Sequence, residues 1–402
     1  MGALRTLRHW AWLSADRAAG RARVLLAINL VLAAAGVAAA RRTDMPPVSV
    51  DFVSFYAAGA LARAGAPAAA YDRAAHAREE TSVIGAGRPY QFFFYPPVYL
   101  PLCAGLAALP YPAAFAAFEG VTGAAFLLVA RAIAGPAARA AWLWPVLAFP
   151  AVFWTVGLGQ NAFLTAALLG GATLLADRRP VLAGMLMGAL CYKPHLALLI
   201  PVALVAGGRW RSFIAAGSTA AGLVAVSWLL YGDGTWQAYI GSFLASGGTY
   251  GSGRVSFAGM VSPFGAARLA GLPLHAALAV QGAFTLIAAL TVAWIWRTSR
   301  SPAVRAAALL SGTMLSLPVL LLYDQLITLL AITWLAREGF LPWEKLTLAA
   351  AYLLPMLTLP LAALLDLPIA PLPAVLVLGV CVVRLRCGKT APCSPSRPNA
   401  LT

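Results

Sequence analysis

Charge is scarce in this sequence: only 10% of its 402 residues are Asp, Glu, Lys or Arg, against about 25% in soluble domains. Hydrophobic residues make up 61% and the mean hydropathy is +0.80, which excludes an ordinary soluble domain. Acids are the rarer sign, 13 against 29 Lys and Arg, leaving a net charge of +16. Such a basic balance raises the question of nucleic acid. The arginines, however, stand in ones and twos at the ends of apolar runs, as membrane orientation requires. They form no basic stripe with interleaved aromatics, so nucleic acid is excluded as a partner. The five cysteines, Cys103, Cys191, Cys381, Cys387 and Cys393, contain no CxxC pair. Neither a disulfide framework nor a zinc site is indicated, and small apolar filler in helices is the simpler reading. No internal repeat is visible either, which weighs against a transporter built from repeated halves.

What is present is a succession of apolar runs bounded by Gly, Pro and Arg, each near the roughly 20 residues a spanning helix needs. The sequence predicts an all-α polytopic membrane protein of about twelve transmembrane helices, with both termini inside. Arg5, Arg8, Arg17, Arg21 and Arg23 precede Val24–Ala40, a run longer than the h-region of about 7–15 residues in a signal peptide. It reads as an uncleaved first helix leading out to a long loop, 41–112, with short surface helices at 51–64 and 73–81. Pro96-Pro97 opens a re-entrant or surface helix to Leu109. Helices follow over about 113–133, 141–156, the run returning to Arg178-Arg179, 213–230, 273–296, 303–322, the run returning to Arg337, 345–361, and the run ending at Arg384. Between them, 181–206 is bracketed by basic pairs and reads as a short hairpin with Lys193 and His195 at its outer tip. Residues 231–271 read as a Gly-, Ser- and Tyr-rich outer loop. Residues 1–387 thus form one integral membrane domain, and 388–402, Pro- and Ser-rich without periodicity, a disordered cytoplasmic tail.

The first loop holds five of the thirteen acids, Asp44, Asp51, Asp72, Glu79 and Glu80. Asp51 has the chemistry of a general base, because a carboxylate within about 2.6–3.2 Å of an attacking hydroxyl can accept its proton; a solvated acid or helix N-cap is the structural alternative. Asp72 reads as an N-cap. Lys193, beside Pro194 in an apolar run, suits a phosphate clamp or snorkels to the interface, with His195 beside it. Tyr56, Tyr95, Gln160, Asn161, Tyr323 and Asp324 are substrate-binding candidates. Gln160 and Asn161 could equally cap a helix, Asp324 start one, and Phe92–Tyr95 form an interfacial aromatic belt. The separated polar motifs all fall at outer ends of predicted helices.

These segments resemble glycosyltransferase family 87, the polyprenol-phosphate-mannose-dependent mannosyltransferases of the GT-C fold. The resemblance covers about 45–215 well and the rest loosely. It is carried by the Asp51 block with Phe55-Tyr56-Ala57-Ala58, Tyr71-Asp72, Phe94-Tyr95-Pro96-Pro97, Gly159-Gln160-Asn161, Ala183-Gly184 with Gly188, Lys193-Pro194 and Arg209-Trp210-Arg211. It implies a catalytic Asp in the first outer loop, falling on Asp51, a polyprenyl-phosphate sugar donor, and no nucleotide-sugar or metal site. A His typical of the mannosyltransferase branch is missing where this chain reads Leu-Pro-Val-Leu-Leu-Leu-Tyr323-Asp324, which leaves sugar and acceptor open. The expectation is an inverting hexosyltransferase, moving mannose or another hexose to an outer-leaflet glycolipid or glycan. It would sit in the cell's inner (plasma) membrane with its site on the outer, periplasmic face. A transporter or flippase of a lipid-linked sugar is the alternative.

Overall fold

The computed structural model describes Trp10 and residues 14–42, 51–136, 138, 140–251 and 255–387. The predicted tail at 388–402 and Asp44 lie outside these residues. Among them the chain is almost entirely helical, and five helices are long and apolar enough to cross a membrane, or six if one bent pair counts as a single span. The expected twelve-helix count is therefore matched only in its class: several apolar helices, with further apolar segments too short to cross alone.

The first helix, α1 (Ala15–Arg42), starts well before the predicted Val24. In the following loop, α2 (Phe52–Arg63) and α3 (Arg73–Ile84) occupy the two places predicted for short helices. Asp72 caps α3, accepting from Ala75 N at 2.7 Å. After an extended stretch comes α4 (Leu100–Leu106), then the spanning helix α5 (Tyr111–Ala134).

The predicted helix at 141–156 is broken. Residue Phe149 is extended ahead of Pro150, because a proline ring crowds the helical conformation of the residue before it. The result is α6 (Leu143–Leu147) and α7 (Pro150–Leu158), bent by 59°. Gly159 then adopts a left-handed conformation, φ 66°, which a glycine accommodates without a Cβ clash. It turns the chain through Gln160 and Asn161 into α8 (Ala162–Leu175).

The hairpin at 181–206 is present as two short helices, α9 (Pro180–Ala189) and α10 (Ile200–Ala206), joined through 3-10 turns around Lys193. Helix α11 (Trp210–Gly251) corrects the predicted outer loop. The chain breaks at Gly232, with φ 73°, and resumes as helix to Gly251. Helices α9 and α11 pack backbone to backbone: a Cβ on Gly184 would lie 2.3 Å from Ser212 O, and one on Gly188 2.4 Å from Ala216 O. Small residues four apart permit this approach between apolar helices.

The rest comprises α12 (Pro263–Leu269), α13 (Leu274–Thr298), α14 (Pro302–Ser316), α15 (Leu326–Arg337), α16 (Glu344–Leu365) and α17 (Leu372–Cys387). Helix α14 ends six residues before the predicted Leu322. Leu317, ahead of Pro318, is already extended, and the extended segment pairs with 260–261 through Val261 N to Leu320 O at 2.9 Å. That segment delivers Tyr323 and Asp324 to the interior, where α14 and α15 form the most buried part of the core.

Candidate active site

Asp51 stands at the head of α2, and two contacts from the Gly159 turn hold it. Its amide donates to Leu158 O at 2.9 Å, and its carboxylate accepts from Gln160 Nε2 at 2.7 Å. The side chain does not cap its own helix, so the structural alternative of an N-cap does not account for it. Burial pushes its carboxyl above the ordinary value, while the Gln160 bond and the charge of Lys193 act in the opposite sense. A carboxylate so placed is a stronger base than a solvated one, yet keeps a donor favouring its ionised form.

Gln160 is the hub. Its Oε1 faces Tyr95 Oη at 3.5 Å and the Asn161 amide at 3.3 Å. Asn161 Nδ2 donates to Tyr99 Oη at 3.4 Å. The Tyr99 ring stacks on Tyr192 at 5.1 Å, and the Tyr192 hydroxyl meets Thr165 Oγ1 at 2.6 Å. Tyr192 is the chain neighbour of Lys193, so these bonded and stacked side chains reach from the carboxylate to the backbone beside the ammonium, whose charge acts on Asp51. Asn161 Oδ1 is buried with no hydrogen-bond partner among the described residues, an acceptor left over beside these side chains.

Lys193 is 5% exposed and pairs with Asp324, equally buried, at 3.4 Å between Nζ and Oδ1. The other Asp324 oxygen accepts from Leu321 N at 3.0 Å, and the Tyr323 ring lies 5.4 Å from Nζ. Lys193 therefore does not snorkel. One of its three N–H groups is engaged by Asp324, and the others remain able to donate. Of the nine predicted residues, Asp51, Tyr95, Gln160, Asn161, Lys193, Tyr323 and Asp324 join this assembly. His195 lies exposed at the hairpin tip, where its charge interactions are with Lys193 and Asp324. Tyr56 turns elsewhere: its hydroxyl donates to Leu109 O at 2.8 Å and its ring packs on Tyr111.

Sequence reasoning missed Tyr99 and Tyr192, although each had a signal, Tyr99 four residues after Tyr95 and Tyr192 abutting Lys193. It also gave no role to Glu80, which forms an i, i+4 pair with His76 on α3.

A helical membrane protein that gathers a carboxylate, an ammonium, amides and tyrosines in one interior polar site has groups suited to proton acceptance beside an anion. The profile of Glycosyltransferase family 87 matches residues 93–323, more than half of the chain, and the protein belongs to that family. The match takes in Tyr95, Gln160, Asn161, Lys193, His195 and Tyr323; Asp324 lies one residue past its end, and Asp51 and Tyr56 lie in the segment before it. No curated protein and no solved structure matches the chain significantly.

Proposed function

We propose that this membrane glycosyltransferase moves a hexose, mannose in the first instance, from a polyprenyl phosphate to a hydroxyl of an outer-leaflet glycolipid or glycan, with inversion. The observation that carries the reading is that Asp51 and Lys193 share one interior polar site: Gln160 donates to the Asp51 carboxylate and the Lys193 charge acts on it. Asp51 accepts the proton of the acceptor hydroxyl as that oxygen attacks the anomeric carbon. The bond from that carbon to the phosphate oxygen breaks on the opposite face, and Lys193 meets the phosphate as its negative charge grows. Asn161 Oδ1 offers its lone pairs to a sugar hydroxyl beside Tyr95, and the buried Tyr99 supports Asn161 from behind. Tyr323 and Asp324 act on the donor through Lys193, holding its ammonium in place, with His195 at the rim.

In this reading residues 1–387 are one membrane domain, the short apolar helices complete the spans toward twelve, and the site opens on the outer face of the inner membrane. Membership of a glycosyltransferase family favours it over a flippase. The test is mass spectrometry of lipid-linked glycans from cells with the intact gene and from cells carrying Asp51→Asn. A glycan lacking one hexose in the mutant is expected; identical profiles would count against the reading.

A further inference from the structure

Outside the network just described lies a second buried cluster of titratable groups, on α3. His76 is 0% and Glu80 3% exposed. His76 Nε2 lies 3.0 Å from Ser54 O, a carbonyl acceptor, so this nitrogen carries the proton and Nδ1 carries a lone pair. That lone pair faces Glu80 Oε1 at 3.5 Å, and neither atom has another hydrogen-bond partner among the described residues. The second Glu80 oxygen accepts from Gln91 N at 3.0 Å. The His76 ring is held between Tyr90 and Phe93, at 5.6 and 5.9 Å.

The two partners of this pair matter. Ser54 sits in the first turn of α2, where its amide bonds to Asp51 O at 3.2 Å. Gln91 opens the extended stretch that ends at Tyr95, the residue facing Gln160. The pair therefore ties together the two segments that carry the base and its polar contact. We propose that His76 and Glu80 are positioning residues for Asp51: a clamp that shares one proton, carried on Glu80 Oε1 and donated to His76 Nδ1, and that loosens when this proton is lost. The proposal rests on the transferase reading above for its effect on turnover, though not for the clamp itself.

The electrostatics agree with the geometry. Burial raises the Glu80 carboxyl to about 7, helped by the nearby charge of Asp51 and opposed by the Gln91 bond. Burial lowers the His76 imidazole to about 4, against the Ser54 bond. The other titratable or charged groups around the pair are Asp51 on α2, Tyr90 on the extended stretch, Tyr111 on α5, and Asp72 and Arg73 at the start of α3. Arg73 sits over the Tyr90 ring at 5.4 Å and Asp72 is committed to its cap. Glu80 is thus the group whose proton is lost near neutrality, and its loss places a second negative charge beside Asp51.

Two readouts on the full-length protein in detergent test this. The first is transfer from radiolabelled polyprenyl-phosphate mannose to a membrane lipid extract, followed from pH 5.5 to 9. Wild type should lose kcat above about pH 7. Glu80→Gln, whose amide mimics the protonated acid at both contacts, should keep kcat within about threefold and lose that alkaline limb. Glu80→Leu and His76→Leu should lower kcat by about 10- to 100-fold with KM little changed, as misplacement of a catalytic group does. The second readout is the melting temperature against pH, which needs no turnover. A depressed His76 contributes stability that is present above 6.5 and lost as pH falls towards 4. A raised Glu80 contributes stability that is present below about 4.5 and lost as pH rises to 7. In wild type the two slopes offset each other between 4.5 and 6.5, so the melting temperature stays level there. In Glu80→Gln only the histidine slope remains, and the melting temperature should fall on acidification from 6.5. Parallel melting curves for wild type and Glu80→Gln would overturn the shared proton, even if Glu80→Leu fails to fold. Absence of transfer by wild type with divergent melting curves would reject the transferase reading and leave the clamp standing.

Discussion

At the scale of the residue, what surrounds Asp51 suits it to the proposed role of base. Burial raises its affinity for a proton, and Gln160 restrains that rise by donating at 2.7 Å. Activity should therefore climb with pH as Asp51 ionises, with an acid limb above the ordinary carboxylate value. Gln160→Leu removes the donor that favours the ionised form. The acid limb should move to higher pH, and kcat at neutral pH should fall by about tenfold or more, the worth of one hydrogen bond to a charged group. A pH profile of kcat/KM checks this; a limb that stays in place would mean that Asp51 is not the group titrating. Much of this site was legible residue by residue. Asp51, Gln160, Asn161 and Lys193 are polar groups in an apolar chain, and such groups in a membrane protein face a cavity or one another. Tyr56 misled because it belongs to the same sequence block as Asp51, while its own position on the helix points it to Leu109.

At the scale of the element, the Lys193–Asp324 pair joins the hairpin tip to the segment before α15. Neither Lys193→Met nor Asp324→Leu is benign, since each strands a buried charge at a cost of about 3–5 kcal/mol. The double variant removes both charges and should recover most of the melting temperature while remaining inactive in transfer. A double variant no more stable than either single one would mean that the pair is not the stabilising unit. Close packing makes a second expectation: Gly188→Val drives a side chain into Ala216 O and should destabilise the α9–α11 contact by about 1–3 kcal/mol, read as lower thermal stability in detergent. The elements themselves were legible where a local signal exists. Asp72 announced α3, and Arg178-Arg179 with Arg209 and Arg211 bracketed the hairpin. The misses have physical causes of their own. Pro150 and Pro318 break helices inside continuous apolar runs, and composition alone does not register a break. Gly232 does the reverse, since a single positive φ turns the chain and helix resumes through a stretch whose Gly and Ser content suggested a loop.

At the scale of the whole molecule, the polar site gathers residues from the first loop, the Gly159 turn, the hairpin tip and the segment after α14, so it exists only in the folded bundle. In the proposed topology this site lies on the outer face. In a cysteine-free background, a cysteine at the exposed Ala66 should react with an impermeant thiol reagent in intact cells. Labelling only after the membrane is opened would invert the topology. The central claim is that Asp51 removes the acceptor proton, and Asp51→Asn tests it most directly because the amide keeps the shape and loses the basicity. Transfer from polyprenyl-phosphate mannose should be measured for the variant purified in detergent, alongside its melting temperature and its binding of the sugar-free polyprenyl phosphate. The account predicts a folded protein that binds the phosphate normally and turns over about 10²- to 10⁴-fold more slowly. Turnover near that of wild type would contradict it.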